Sequence, residues 1–305
     1  MEYKAPVEAY TGVVRELTIG KGDKALKMGG ENILPFHFFD DGSLPNAPTF
    51  ALEILDMEPT DWAEHLVEPF KDVISDPIKW AKRCEEFGVD AVSLYLTSTD
   101  PAGENRSAEE AAALVKEVAE SISVPLLVYG SGDDKKDAEV LPKVAEACDG
   151  MNLLIGPVLK ENYEVVGKAI LDHGHKAWAE SPLDINLLKE LNIKLCHFLP
   201  PERIVIDPES TALGYGFEYS FTLMERVKQL GVIVKDSMTQ MPIIANLGKE
   251  VWKTKQAKES GKQGLLFEAM TALGLLLAGA NILVFRHPES IKLVKETIGG
   301  EIWQK

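Results

Sequence analysis

Residues 207–216 read DPESTALGYG directly after the apolar run RIVI at 203–206. Two carboxylates, two hydroxyls and two glycines at the end of a buried-strand pattern offer acceptors, donors and unshielded backbone in one loop. Asp207, Glu209 and Ser210 are thus candidates to hold a polar ligand. Gly214 and Gly216, with Tyr215 between them, would let a ligand or partner come close. Comparable groups follow other apolar runs: Ser98 and Asp100, Ser131 with Gly132 and Asp133, Glu180 with Ser181, Asn246, and Arg286 with His287. The GSG at 130–132 could present backbone amides to an anion. Asp or Ser before Pro is also ordinary turn or cap chemistry, and Asp76, Asp100 and Ser181 fit that reading equally well.

Attack chemistry finds little support. There is no G-x-S-x-G elbow, no H-E-x-x-H and no His/Asp/Glu cluster at metal-ligand spacing, and the six histidines are scattered. Cys84, Cys148 and Cys196 stand alone without a C-x-x-C pair, so this chain by itself builds neither a four-thiolate cluster nor a zinc site. No catalytic residue and no metal ligand is assigned; the strand-end groups suit holding something rather than attacking it. The segment 248–263, GKEVWKTKQAKESGKQ, carries five lysines against two glutamates in a chain of formal net charge −16. It should overhang the same end of the molecule and meet an acidic partner or an anionic ligand group, unless it is simply a solvated helix.

Positioning these groups requires a repeating frame. From residue 50 onward, short apolar runs alternate with helix-period segments: FALEIL (50–55), AVSLYL (91–96), PLLVYG (125–130), MNLLIG (151–156), HKAWAE (175–180), RIVI (203–206), PIIANL (242–247) and NILVF (281–285). Nearly continuous apolarity marks strands covered on both faces, as in parallel sheets. Between them lie helices with readable starts: Ser107 with Glu110 as a capping box, and Asp76, Ser181 and His287 each before a proline. LLFEAMTALGLLLAGA (265–280) is too short to span a bilayer and reads as a buried helix around Glu268. Eight strands alternating with helices predict an α/β chain folded as a (β/α)8 TIM barrel over residues 49–305. Residues 1–48 break the repeat, and VVRELTIG followed by KMGG predicts an N-terminal extension packed on the barrel as a short hairpin.

The charge balance opposes phosphate backbones and anionic membrane surfaces, so neither nucleic acid nor membrane is expected as a partner. The start MEYKAPVEAY has no basic flank before an apolar run, so no secretory signal is read and a cytoplasmic protein is expected.

At DPESTALGYGFEYSFTLMERVK (207–228), YGSGDDKKDAEVL (129–141) and LPFHFFDDGSLPN (34–46), the sequence resembles the small subunit of the corrinoid iron–sulfur protein, whose archaeal relatives are the delta subunits of acetyl-CoA decarbonylase/synthase. The resemblance implies a TIM barrel in an obligate heterodimer with a large subunit that carries a 4Fe-4S cluster and a cobalamin-binding domain. It implies that cobalamin sits between that domain and the barrel mouth, carrying a methyl group from a methyltetrahydrofolate methyltransferase to acetyl-CoA synthase. Asp207, Glu209, Ser210, Gly214, Tyr215, Asn246, Ser131, Gly132, Glu180 and Arg286 are then the residues expected at the corrinoid. This chain has no D-x-H-x-x-G to supply an axial histidine, so that task would fall to the partner, as would the cluster. The barrel also resembles pterin-binding methyltransferases, in which an Asp after strand six and an Asn after strand seven hold the pterin; Asp207 and Asn246 stand at matching places. The Asp those enzymes carry after strand three is replaced here by YGSG, at Ser131 or Gly132. The alternative expectation is therefore a methyltransferase that binds methyltetrahydrofolate itself and acts on a corrinoid.

Overall fold

The computed structural model describes residue 3, residues 7–34 and residues 42–299. Most of the stretch 34–46 quoted above lies outside the described residues. Two short strands, β1 (Leu17–Ile19) and β2 (Leu26–Met28), pair antiparallel as the expected hairpin. Eight parallel strands follow: β3 (Thr49–Leu55), β4 (Ala91–Tyr95), β5 (Leu126–Tyr129), β6 (Leu154–Val158), β7 (Lys176–Glu180), β8 (Ile204–Asp207), β9 (Ile244–Ala245) and β10 (Ile282–Phe285). Their order is β8-β7-β6-β5-β4-β3-β10-β9. A parallel bridge between Ile206 and Ile243, with the Ile206 amide donating to the Pro242 carbonyl at 2.9 Å, joins the two outer strands and all but closes the ring. The barrel with an N-terminal extension is the fold that the alternation of apolar runs predicts.

The outer layer comprises α1 (Glu64–Val67), α2 (Pro77–Glu86), α3 (Ala108–Ser121), α4 (Asp134–Ala147), α5 (Tyr163–Asp172), α6 (Ile185–Cys196), α7 (Phe217–Gln229), α8 (Gly248–Val251), α9 (Lys255–Glu259), α10 (Gly261–Leu277) and α11 (Pro288–Ile298). The Ser107–Glu110 capping box forms, and Asp76 and His287 cap their helices. Ser181 does not. Helix α6 starts three residues later, where the Asp184 carboxylate accepts from the amides of Asn186 and Leu187, because Ser181 is held back by its own amide donating to the Asp207 carbonyl at 3.0 Å. The fourth barrel strand also begins late: Met151–Leu153 are irregular, the Asn152 side chain donates to the carbonyls of Thr18 and Gly20, and β6 starts at Leu154. Helix α10 buries Glu268 but leaves Leu266 and Met270 exposed, so only one face is core. Among the described residues no helix is long and apolar enough to cross a membrane.

Two cores result. One lies between strands and helices; the other fills the barrel lumen with Ala51, Ala91, Leu127, Leu154, Val205 and Ile244, and Leu17, Ile19 and Met28 of the hairpin pack into it. These lumen residues stand at the starts of their strands, so the hairpin seals the end opposite the strand-end loops. The seal is tied down by buried polar groups: Lys228 of α7 pairs with Glu31 and donates to Asn281 Oδ1 at 3.0 Å, while Asn281 Nδ2 donates to Glu31 Oε1 at 2.9 Å. A charge this deep persists only when paired and hydrogen-bonded.

Candidate functional site

The carboxyl ends of β3–β10 form the mouth. Its floor is aromatic: Tyr95 and Tyr129 meet edge to face at 5.2 Å between centroids, and Tyr129 meets Trp178 at 5.0 Å. Each stands at or near the end of an apolar run and closes the top of the lumen. The polar tips then reach upward. The Tyr129 hydroxyl donates to Glu180 Oε2 at 2.7 Å, and the indole N–H of Trp178 donates to Asp207 Oδ2 at 2.8 Å. The other Asp207 oxygen accepts from the Glu209 amide at 2.9 Å, which helps hold Glu209 at φ +60°, a left-handed conformation that a non-glycine residue adopts at a cost.

Two carboxyls of this wall resist ionisation. Burial pushes Asp207 well above the usual carboxylate range, and the charge of Glu180 adds to the rise against the opposing indole and amide hydrogen bonds. Glu180 is raised by burial as well, partly offset by Tyr129 and Lys249. Facing them, Lys249 of α8 places its ammonium 5.2 Å from the Tyr95 ring and 5.3 Å from the Tyr129 ring. Burial opposes its charge, yet Tyr95, Glu53 and Glu180 hold its pKa above the ordinary lysine value. The mouth thus sets a cationic donor against carboxyl groups biased toward their neutral form, an arrangement that pairs with ligand groups able both to donate and to accept.

The structure distributes the expected site residues unevenly. Asp207, Glu180 and Glu209 come together, and the lysine-rich segment beside them forms α8, α9 and the first residues of α10 rather than one helix. Buried side-chain atoms after three successive strands, Ser181 Oγ, Ser210 Oγ and Asn246 Oδ1, have no partner among the described residues. Ser131 and Gly132 do not form an anion cradle. Their amides donate to Asp137 of α4, at 2.8 Å and 2.9 Å, and the Ser131 hydroxyl does so at 3.0 Å, so the chain's own carboxylate fills the place. Gly130 permits this, since a Cβ there would stand 2.4 Å from Asp137 Oδ1. Burial raises Asp137 to about 6 against those hydrogen bonds. Arg286 is 7% exposed and is spent inward: it pairs with Glu53 at 2.6 Å and lies 4.8 Å from the Trp62 ring. Tyr215 is exposed on the loop before α7 and donates to Gln256 Oε1 of α9 at 2.7 Å. Gly214 beside it has φ +73°, a value that explains the glycine without a close neighbour.

Sequence reasoning passed over Lys249 as an individual, the Tyr95–Tyr129–Trp178 floor, Asp137, Glu53 and Asp56. Glu53 carried a signal, being a lone charge inside the otherwise apolar FALEIL. Asp56 accepts from the Thr97 hydroxyl at 3.0 Å and the Ser98 amide at 2.9 Å, tying the loops after β3 and β4 together and using up Ser98. Among the described residues, no group of three or more His, Cys, Asp or Glu side chains is placed to hold a metal ion.

Residues 16–296 match the family model described as CO dehydrogenase/acetyl-CoA synthase delta subunit. The chain is 33% identical, over an alignment of 325 residues, to acetyl-CoA decarbonylase/synthase complex subunit delta 1 of Methanosarcina thermophila, covering 98% of this chain and 73% of that one. It is 34% identical over 306 residues to subunit delta of Methanothermobacter thermautotrophicus, with coverage of 97% and 77%. Among solved structures, Yersinia pestis dihydropteroate synthase with a sulfonamide drug superposes with a TM-score of 0.58 at 14% identity, over 84% of this chain and 95% of that one. Xanthomonas albilineans dihydropteroate synthase with indole-2-carboxylic acid and 6-chloroguanine gives 0.55 at 15% identity, over 85% and 95%. At such identities the likeness shows the fold alone.

Proposed function

The chain belongs to the CO dehydrogenase/acetyl-CoA synthase delta-subunit family, and from that premise we propose that it is the barrel subunit of a methyl carrier whose mouth caps a corrinoid held by a larger partner. In this reading the partner supplies the 4Fe-4S cluster and the cobalamin, and the pair exchanges methyl groups with a methyltetrahydrofolate methyltransferase and with acetyl-CoA synthase. The observation that carries it is the set of unpartnered polar atoms after β7, β8 and β9, beside the carboxyls of Glu180 and Asp207 and the ammonium of Lys249. A corrin ring is edged with carboxamides, each with one acceptor oxygen and two N–H donors, so these residues fit its rim. Asn246, Ser210, Glu180, Asp207 and Lys249 would hold it. When bound, the cobalt would supply the acceptance and release of methyl; the chain's own residues would bind the rim, orient it and exclude water.

A second reading, direct binding of methyltetrahydrofolate, is favoured by Asp207 and Asn246 at the ends of β8 and β9. Against it, the acid those enzymes carry after strand three has no counterpart: Ser131 and Gly132 stand there and donate to the chain's own Asp137. Titrating this chain alone with methyltetrahydrofolate, and separately with its corrinoid-bearing partner, tests both: micromolar binding of the folate sinks the capping reading in favour of the enzyme, and association with the partner that protects the corrinoid from oxidation supports it.

A further inference from the structure

On the side of the mouth away from Glu180 and Asp207 lies a cleft of about 230 Å³ between the loops after β3, β4, β9 and β10. Its charged lining is Lys249, Lys253, Lys258 and Arg286 against the single acid Asp61, and Trp252 walls it. We propose that this cleft is an oxyanion site that takes a phosphate-class group, either a free anion or a phosphodiester carried by a larger ligand.

The charge count survives discounting. Arg286 is neutralised by Glu53, and Lys253 has Glu250 at 2.7 Å as an exposed neighbour. Lys258, also exposed, has no ion pair among the described residues, and Lys249 meets ring faces rather than a carboxylate in direct contact. This surplus stands in a chain of net charge −16, so the segment 248–263 concentrates cations where the remainder of the molecule repels anions. Separation within the mouth sharpens it: the carboxyls of Glu180, Asp207 and Glu209 occupy the β7–β8 side, which steers an anion toward the β9–β10 side. Lysine ammonium groups serve phosphate as movable point charges, and two or three converging on one cleft suit the several acceptor oxygens of a phosphate group. The wall is fixed rather than pliant, since the Trp252 ring stacks on His287 at 6.0 Å and 24°. Lys249 is shared with the corrinoid reading, whereas Lys253 and Lys258 belong to this cleft alone.

The probe is inorganic pyrophosphate, titrated into the full chain by calorimetry and by intrinsic tryptophan fluorescence, to which Trp252 and Trp62 contribute from the lining. Saturable one-site binding that weakens steeply with salt is expected, with a loss of roughly tenfold in Lys258→Glu and more in Lys253→Glu/Lys258→Glu, both at exposed positions that leave the thermal midpoint unchanged. Lys116→Glu on α3 makes the same charge change on the outer wall and should leave affinity within about twofold. Cobalamin and cobinamide, which differ by the nucleotide phosphodiester, form the second arm: competition by cobalamin alone assigns the cleft to a phosphodiester, and competition by neither assigns it to a free anion. Absence of saturation, equal loss in Lys116→Glu, or unchanged affinity in the double variant overturns the proposal.

Discussion

Asp137 does for the loop after β5 what a bound anion would otherwise do: it accepts from two amides and a hydroxyl, and Gly130 leaves it the room. Asp137→Ala should therefore cost about 2–4 kcal/mol of stability, the range for stranding several buried donors, and should raise amide exchange at 131–132 more than in the strands. Equal exchange across the barrel would show the carboxylate to be general packing. Glu268 gives a pH signature. Burial raises it to about 7, so the folded chain holds a proton that the unfolded chain releases near its ordinary value. Stability should be fullest below the unfolded pKa and fall as pH rises toward about 7, by about 3 kcal/mol at most for a shift of that size. Denaturant midpoints at pH 5 and pH 8 check this, and Glu268→Gln should flatten the slope. Residues of this kind were hard to read in advance. Asp137 lies seven positions past Gly130 on a helix whose acids look solvated, and it meets the loop because the chain turns back as α4 starts at Asp134; Asp207 was legible because it ends an apolar run.

At the scale of elements, the strands were legible because burial on both faces leaves an uninterrupted apolar run, whereas their ends were set by partners distant in sequence. Asn152 is drawn into the hairpin's carbonyls, which is why β6 begins late, and the bond between the Ser181 amide and the Asp207 carbonyl moves the start of α6 to Asp184. Neither contact has a local sequence signal. The hairpin was legible from alternation, but its ties were not: Lys228 belongs to a helix that reads as amphipathic, yet its ammonium is buried against Glu31. Lys228→Met should destabilise the chain by about 3–5 kcal/mol, since it strands a buried carboxylate, and the double change Glu31→Leu/Lys228→Met should recover most of that loss. Thermal midpoints of the single and double variants decide it; a double variant as weak as the single would mean that the pair is needed for shape rather than for charge balance.

For the whole molecule, the proposed division of labour predicts a chain that is folded but colourless when expressed alone, acquiring a corrinoid spectrum only with its partner. Iron and cobalt analysis of the separately purified chain checks this, and stoichiometric iron would contradict it. The knot of Glu31, Lys228 and Asn281 adds a consequence in time. Asn281 follows Glu31 by 250 positions, and at synthesis rates of 5–20 residues per second the ribosome delivers it roughly ten to fifty seconds later. For that interval the nascent chain has a hairpin with no finished lumen to cover and a glutamate still in water. The hairpin, made before every barrel strand, is thus among the last segments to dock, and its docking registers that β10 has arrived.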